Sequence, residues 1–230
     1  MTALKPLPPG QGLALFDIDY TLLTIDSDHA WGQFLVDQGA VDGVEYERKN
    51  DHFYALYKAG TLNLLDYLDF SLAPLAAHPR AQLEAWHAQF MQSLIVPAIA
   101  QSARDVVAQH QARGDWCAAV TATNEFITAP IAAQFGIETL IGVQLAEANG
   151  NFTGKPRGTL SFKEGKVTRV QAWLAQHQRS IESFAESYFY SDSRNDLALL
   201  ESVSHPVAVN ADSVLTGIAQ ARGWPCIALK

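Results

Sequence analysis

The sequence has 230 residues, 48% of them hydrophobic, which is enough for one well-buried core and a modest second lobe and argues against a disordered chain. A formal net charge of −8 and a pI near 5.3 argue against nucleic acid as a partner, because binding to a phosphate backbone needs a basic face. The chain has only two cysteines, which argues against a disulfide or zinc framework and is typical of a reducing cytoplasm. Met1 to Gly10 lack the apolar core of a signal peptide, and no stretch approaches the ~20 apolar residues of a membrane span. We therefore expect a cytoplasmic protein without a membrane span.

The first predicted element is a buried strand from Leu13 to Phe16 that ends in two carboxylates and a hydroxyl group. These groups belong to Asp17, Asp19 and Thr21. Open α/β sheets bind their ligands where such strands end. Two aspartates held together at a tight strand exit need either a shared proton or a divalent cation. The stretch therefore predicts a catalytic site, with a structural turn as the alternative.

Between this strand and about residue 95, the sequence shows helical patterns and no strand pattern. Asp28 is predicted to cap a first helix from about Ala30 to Gln38, which Gly39 ends. Apolar residues at helical spacing predict three more helices, about Val44 to Lys58, Thr61 to Ala73 and Leu83 to Ile95, and Pro97 stops the last. We predict an all-helical insert in this region.

Strands and helices alternate in the remainder of the chain. The predicted strands are Trp116 to Val120, Ile137 to Val143, Tyr188 to Tyr190 and Pro206 to Val209. The predicted helices are Ala98 to Arg113, Asn124 to Phe135, Lys166 to Gln178 and one that Asp212 caps and Gly223 ends. Pro130 either kinks the second of these helices or marks its start, and Asn149-Gly150-Asn151 predicts a hairpin. The alternation predicts an α/β fold with a doubly wound parallel sheet.

Polar groups follow several of these strands or begin the helices after them. They belong to Asp17, Asp19, Thr121, Lys166, Asp192 and Asp196. Because the carboxyl ends of parallel strands share one edge, we expect these residues to meet in one cleft. Their chemistry indicates phosphoryl transfer, in which Asp17 attacks phosphorus and Asp19 protonates the leaving oxygen and then activates water.

The other groups of this cluster are predicted to hold the phosphate and a metal ion. The Thr121 hydroxyl and the Lys166 ammonium group would bind phosphoryl oxygens. Asp17, the backbone carbonyl of Asp19 and Asp192 would ligate Mg²⁺, because a hard cation prefers oxygen ligands.

Some of these assignments have alternatives. Lys163 and Lys155 are the alternatives to Lys166 as the phosphate-binding lysine. Asp196 either supports the metal site or stabilises the start of a helix. Asn195 either forms a hydrogen bond in the site or caps the same helix. His29 either has a structural role, as a helix cap or a packing residue, or contacts the substrate.

Four short motifs carry a resemblance to a known family. Phe16 to Thr21, with the sequence FDIDYT, resembles the first motif of the haloacid dehalogenase superfamily of phosphatases, and Thr121, Lys166 and Asp192 to Asp196 resemble the second, third and fourth. The chain is most similar to the branch that contains phosphoserine phosphatases. This resemblance implies a Rossmann-like core, residues 1–26 and 98–230, with an all-helical cap inserted at residues 27–97.

The resemblance also implies a function and a set of substrate contacts. A member of this branch is an Mg²⁺-dependent phosphatase of a small-molecule phosphate ester, here expected in amino-acid biosynthesis and as a monomer or homodimer. The implied substrate-binding residues are Asp26, Thr121, Ala122, Lys166 and Asn195. A dehalogenase has no need of the acid at Asp19, and a phospho-receiver signalling module is the non-enzyme alternative.

The substrate prediction depends on two positions, one just before the insert and one within it. Asp26 lies nine residues after Asp17, where phosphoserine phosphatases have an acid that holds the substrate amine. An ungapped alignment places Asp69 where they have an arginine that binds the substrate carboxylate, although Arg48 or Arg80 could replace it. A carboxylate there would repel phosphoserine. The prediction is therefore an amine-bearing phosphate without a carboxylate, such as histidinol phosphate, with phosphoserine as the alternative.

Overall fold

Strand β1 lies at the centre of the sheet in the computed structural model, which describes residues 12–229. The strands are β1 (Gly12–Phe16), β2 (Trp116–Asn124), β3 (Thr139–Ala148), β4 (Asn151–Arg157), β5 (Glu186–Ser191), β6 (His205–Val209) and β7 (Cys226–Ile227). They form one seven-stranded sheet in the order β4-β3-β2-β1-β5-β6-β7. Every neighbouring pair is parallel except β3 with β4. The predicted parallel α/β sheet is confirmed.

Helices cover both faces of this sheet. They are α1 (Ser27–Asp37), α2 (Gly43–Ala59), α3 (Leu64–Ser71), α4 (Ala73–Ala77), α5 (Arg80–Phe90), α6 (Gln101–Ala112), α7 (Glu125–Gln134), α8 (Glu164–Gln176), α9 (Leu197–Leu200) and α10 (Ser213–Arg222). Helices α6 and α7 pack on one face together with part of α1 to α5, and α8 to α10 pack on the other. The sheet is therefore doubly wound.

The alternation of side chains in β1 explains the two hydrophobic layers. Leu13 and Leu15 point into the layer under α8 to α10, whereas Ala14 and Phe16 point into the layer under α6 and α7. All four are fully buried, because both faces of a parallel sheet are covered. An unbroken apolar run is thus the expected sequence of a central strand.

All regular elements of the chain between β1 and α6 are helices. Helix α5 continues as a π-helical turn, Met91–Ile95, and a 3₁₀ turn, Val96–Ala98. The two connections to the sheet run side by side, since Leu23 bridges to Ile99. Helices α1 and α5 also share a hydrophobic core with α7: the ring centroid of Trp31 lies 5.2 Å from that of Phe90 and 5.8 Å from that of Phe126. Helix α2, in contrast, all of which the structure describes, buries no apolar side chain in this core, because the residue that it buries is Asn50.

The start of α1 differs from the prediction. Asp26, and not Asp28, is the N-cap, since Oδ1 of Asp26 accepts hydrogen bonds from the backbone N–H groups of Asp28 at 3.0 Å and His29 at 2.9 Å. The helix therefore begins at Ser27 instead of Ala30. This leaves the Asp28 side chain in the first turn, where it is available for other contacts.

Other local predictions are confirmed or refined. The hairpin between β3 and β4 turns at Asn149 and Gly150, which both have positive φ, 52° and 78°. Pro130 lies inside α7 and does not mark its start. Asp212 caps α10 and Gly223 ends it, as predicted. Within residues 12–229, no helix has the length and apolar character needed to cross a bilayer.

Candidate active site

Asp17 and Lys166 form the buried centre of the site. Asp17 follows β1 directly, and its backbone N–H donates to the carbonyl oxygen of Tyr190 in β5 at 2.9 Å. Lys166, in the first turn of α8, donates from Nζ to Oδ1 of Asp17 at 2.9 Å. Lys166 is 2% exposed and Asp17 is 4% exposed. The pair therefore lies under the floor of the cleft at the carboxyl edge of the sheet.

Asp196 holds Lys166 from the opposite side. The ammonium group of Lys166 lies 2.7 Å from the Asp196 carboxylate, which also accepts a hydrogen bond from the Ser191 hydroxyl at 2.7 Å. Burial lowers the pKa of Lys166, but the two neighbouring carboxylates outweigh it and raise the pKa above its ordinary value. Lys166 is thus a fixed cation, and Asp196 positions it. The sequence left this role of Asp196 open.

Lys163 does not occupy the same place. Its Nζ donates to the carbonyl oxygen of Gly60, at the end of α2, at 3.3 Å. Lys155 forms an exposed ion pair with Asp69 at 2.7 Å. Of the three lysines considered from the sequence, Lys166 is the one that contacts Asp17.

Asp19 is held by two donors that aim its carboxylate into the cleft. Oδ1 accepts from the backbone N–H of Ser27 at 2.6 Å, and Oδ2 accepts from the Thr123 hydroxyl at 2.9 Å. Burial, reinforced by the charge of Asp26, raises the pKa of Asp19 to about 7. Thr123 was not predicted, and its position two residues after Thr121 on β2 is the sequence signal that could have identified it.

Hydroxyl groups connect the loops of the site. Thr21 donates to Oδ2 of Asp17 at 3.4 Å and accepts from the backbone N–H of Asp192 at 3.0 Å. The Thr121 hydroxyl oxygen accepts from the backbone N–H of Thr123 at 3.1 Å, so its own proton remains available to a ligand. Thr121 is 1% exposed and lines the cleft with Ala122. These contacts bring the ends of β1, β2 and β5 together.

Negative charge dominates this cluster. Burial raises the pKa of Asp17 to about 7, although Lys166 opposes the shift. Burial and the charges of Asp17 and Asp196 raise the pKa of Asp192 to about 9. The carboxyl group of Asp192 has no hydrogen-bond partner in the part of the chain that the structure describes. A bound cation would offset these repulsions.

A cleft of about 560 Å³, partly open to solvent, lies between this cluster and α1 to α3. Its acidic residues are Asp17, Asp19, Asp26 and Asp28. Its aromatic residues are Phe53, Tyr54, Tyr57, Tyr67 and Phe162. In the described ranges no lysine or arginine lines it. The cleft therefore favours a ligand that carries cationic groups.

Asp28 of the insert lines this cleft, as does Asp26, which caps the first helix of the insert. Asp26 was expected there, whereas Asp28 was assigned to a helix cap. The Tyr67 hydroxyl of α3 interacts with the Asp28 carboxyl group. His29 also lines the cleft, with its ring 4.6 Å from that of Tyr54 and Nε2 2.9 Å from Asp51.

Asn195 points towards the insert and not towards the open cleft. Its Nδ2 donates to the carbonyl oxygen of Tyr57 at 3.3 Å. The neighbouring Arg194 donates to the carbonyl oxygens of Lys58 and Ala59. Together with Lys163, these side chains bind the last turn of α2 to the sheet side of the molecule. Sequence patterns gave no signal for these long-range contacts.

The predicted position of Asp69 in the site is wrong. Asp69 is exposed, pairs with Lys155 and does not line the cleft. The two arginines considered as replacements are also elsewhere, because Arg80 pairs with Glu84 and Glu147 and Arg48 lines a groove on the outer side of α2. On α3, Tyr67 lines the cleft, whereas Asp69, two residues later, lies on the exposed face of the helix.

Comparisons with known proteins agree with this arrangement. A family model described as haloacid dehalogenase-like hydrolase matches residues 14–201. A histidinol-phosphatase from Neisseria meningitidis serogroup C is 45% identical over 221 residues, which cover 96% of this chain and 100% of that protein. A phosphoserine phosphatase from Mycobacterium tuberculosis is 26% identical over 92% of this chain and 68% of that protein.

Solved structures show the same fold. A protein of unknown function from Bordetella pertussis Tohama I superposes with a TM-score of 0.91 and 49% identity, over 96% of this chain and 100% of that one. A phosphoserine phosphatase with an analogue of a phospho-aspartyl intermediate superposes with a TM-score of 0.68 and 17% identity, over 96% and 94% of the two chains. The second likeness concerns the fold alone.

Proposed function

The chain belongs to the haloacid dehalogenase-like hydrolases and is a phosphatase of that family, and we propose that it hydrolyses a small amine-bearing phosphate monoester, with histidinol phosphate as the first candidate. The observation that carries the substrate class is the lining of the cleft, where four aspartates face the ligand and, among the described residues, no lysine or arginine does. A substrate with a carboxylate would be repelled there, whereas an ammonium group would be attracted.

The proposed reaction has two steps at phosphorus. An oxygen of Asp17 forms the bond to phosphorus while the ester oxygen leaves and takes the proton of Asp19. Asp19 then removes a proton from water, the water oxygen attacks phosphorus, and the bond to Asp17 breaks. The contacts of Asp19 with Ser27 and Thr123 support this role because they fix its carboxyl group, and its pKa near 7 suits proton exchange at neutral pH.

The phosphoryl oxygens need donors that are already in position. We assign this task to the Thr121 hydroxyl, whose proton is free of other acceptors, and to Lys166, which Asp196 holds in place. Ala122 would offer its backbone at the same strand end. Asp26 is the proposed partner of the substrate amine.

The residues also fit a magnesium ion. The donors would be the carboxylates of Asp17 and Asp192 and the backbone carbonyl of Asp19, which are the hard oxygen ligands that Mg²⁺ prefers. Within residues 12–229 no three acidic, histidine or cysteine side chains are grouped to hold a metal, which is compatible with a site of two carboxylates and one carbonyl. When bound, the ion would offset negative charge and polarise a phosphoryl oxygen.

Residues 27–97 are proposed to act as a cap over this cleft. Their helices α1 to α3 supply its outer wall, including the aromatic side chains of α2. A cap that excludes bulk water favours transfer to Asp17 over side reactions. Phosphoserine remains the alternative substrate, as the fold is shared with phosphoserine phosphatases. The receiver alternative is not retained, since the relatives are hydrolases over nearly the whole chain.

The test is phosphate release from a panel of esters with and without Mg²⁺. We expect Mg²⁺-dependent, multiple-turnover release from histidinol phosphate, loss of activity with EDTA, and a loss of at least about 10³-fold in Asp17→Asn, which cannot form the covalent bond. Asp66→Asn, an exposed change on α3, is the matched control. Turnover of phosphoserine ten-fold faster than that of histidinol phosphate, or full activity of Asp17→Asn, would contradict the proposal.

A further inference from the structure

The carboxylates of the cleft differ in how many protein partners they have. Both oxygens of Asp17 are engaged, by Lys166 and Thr21, and both oxygens of Asp19 are engaged, by Ser27 and Thr123. Asp26 uses Oδ1 to cap α1 and keeps one oxygen for a ligand. In residues 12–229 the polar partner of the Asp28 carboxyl group is the Tyr67 hydroxyl.

Asp28 shares the cleft with several aromatic side chains. The Tyr67 hydroxyl of α3 interacts with its carboxyl group, and Phe53, Tyr54 and Tyr57 of α2 line the same cleft. Flat side chains of this kind stack with planar rings and attract cationic ones. A carboxylate inside an aromatic pocket suits the ring N–H of a heterocycle, which donates to the carboxylate while its faces contact the aromatic side chains.

From this geometry we infer that Asp28 and Tyr67 form a second specificity site, which binds the nitrogen heterocycle of the substrate while Asp26 binds its amine. The inference rests on the proposed function and deepens it, because it states why an imidazole-bearing amine phosphate is preferred over one with an aliphatic side chain. Asp28 accepts a hydrogen bond from the ring N–H, and Tyr67 fixes the carboxylate that accepts it.

The groups that face Asp28 are compatible with this role. Tyr67 and Tyr46 approach from α3 and α2, and Asp19 and Asp26 approach from the strand exit and the start of α1. The neighbouring amide of Asn50 already donates to the carbonyl oxygen of His29 at 2.9 Å. No lysine or arginine among the described residues lines the cleft beside Asp28, and His29, which does line it, has Nε2 2.9 Å from Asp51.

The experiment compares two esters that differ in one group. Leucinol phosphate keeps the amine and the phosphate of histidinol phosphate but has an isobutyl group in place of the imidazolylmethyl group. Wild-type enzyme should prefer histidinol phosphate in kcat/KM by roughly 10- to 100-fold, the value of a hydrogen bond to a charged group. In Asp28→Asn this preference should fall to within about three-fold, while kcat/KM for leucinol phosphate should be almost unchanged.

Tyr67→Phe provides a second variant that keeps the ring and removes the hydroxyl group, and we expect an intermediate loss of preference. Asp66→Asn, one residue away on α3 and exposed, should behave as wild type. An equal loss on both esters in Asp28→Asn would overturn the inference, since it would assign Asp28 to the amine or to folding. An unchanged preference would also overturn it.

The outcome separates the inference from the proposed function. If wild-type enzyme hydrolyses histidinol phosphate and Asp28→Asn retains the preference, the second specificity site fails and the function stands. If wild-type enzyme hydrolyses phosphoserine far better than both amino alcohol phosphates, the proposed substrate fails and the second specificity site with it.

Discussion

The last turn of α2 is bound to the sheet side by three side chains, and weakening this contact should loosen the cleft. Arg194 donates to the carbonyl oxygens of Lys58 and Ala59, Asn195 to that of Tyr57, and Lys163 to that of Gly60. These carbonyls lie at the C-terminal end of the helix, where few backbone N–H groups remain to pair with them and the helix dipole favours cations; that of Tyr57 also accepts from the backbone N–H of Gly60 at 2.9 Å. We therefore expect Arg194→Ala to promote local opening of α2.

The expected size follows from the number and exposure of the bonds. A hydrogen bond contributes about 0.5 to 1.5 kcal/mol net, and the charge of Arg194 adds little because the contact is exposed. Loss of its two bonds should therefore raise the free energy of the closed state by about 1.5 kcal/mol. This corresponds to roughly ten-fold more of the open state. Buried contacts of α1 and α5 with α7 should hold the rest of the insert in place.

Native-state hydrogen exchange measures this opening directly. Backbone amides in peptides from Gly43–Ala59 should exchange about ten-fold faster in Arg194→Ala, and amides of α8 should be unaffected. Because α2 supplies the aromatic wall of the cleft and the closed state stays the major one, kcat/KM should change by less than about two-fold while exchange increases. Arg104→Ala, which removes an exposed hydrogen bond from an arginine to the carbonyl oxygen of Gln134 at the end of α7, is the matched control.

Gly60 allows the same contact to be perturbed from its other side. Gly60 ends α2 with φ of 73°, and a Cβ atom there would lie 2.6 Å from Nη2 of Arg194. Gly60→Ala should therefore increase exchange of the α2 amides as Arg194→Ala does, with an added cost of about 1 kcal/mol for the left-handed backbone. If both variants leave these amides at the wild-type rate, the contact does not control opening and the reasoning is refuted.

Two further predictions concern buried charges. Lys166→Met leaves the carboxylates of Asp17 and Asp196 without their cation. The free energy of unfolding, measured by chemical denaturation, should therefore fall by about 3 kcal/mol at neutral pH, and phosphatase activity should be lost. Lys155→Met, an exposed change, should alter neither property. Burial raises the pKa of Asp28 to about 7. Its carboxyl group is therefore mostly neutral at about pH 6 and mostly anionic at about pH 8. The kcat/KM preference for histidinol phosphate over leucinol phosphate in wild type, divided by the same preference in Asp28→Asn, should increase over this range, because the division removes the titration of the substrate's own imidazole; parallel profiles of the two enzymes would exclude a role for the Asp28 charge.

The sheet was predictable from the sequence because its signals are local. The apolar run of β1 is short and has polar residues directly after it, and Asn149-Gly150 supplies the positive φ angles that a tight hairpin needs. The strand ends then bring distant residues together, since parallel strands share one carboxyl edge. This is why Thr121 and Lys166 could be predicted as site residues from the sequence.

The wall of the cleft was less predictable because its contacts join separate helices. Asp26 and Asp28 are both suitable caps, and no local pattern distinguishes them; in the structure Asp26 accepts the N–H groups of the first turn, whereas the Asp28 carboxyl group interacts with Tyr67 of another helix. Asp69 was misplaced because a residue count along α3 cannot tell which face meets the cleft. The amide of Asn195 likewise binds a carbonyl 138 positions away in the sequence. Tertiary contacts of this kind leave no periodic pattern in the sequence from which they could be predicted.

The charge balance of the site connects its geometry to the proposed metal. Asp17, Asp19, Asp192 and Asp196 converge at one strand edge, and Lys166 is the cation that binds two of them. A phosphate dianion would meet net repulsion from this cluster, and hydroxyl groups such as that of Thr121 cannot neutralise a charge. The same repulsion, added to burial, raises the pKa of Asp192 to about 9, so at neutral pH this carboxyl group retains a proton unless a cation replaces it. Asp17 and Asp192 would hold a divalent cation such as Mg²⁺, whose charge would offset this repulsion and favour the ionised form of both carboxyl groups.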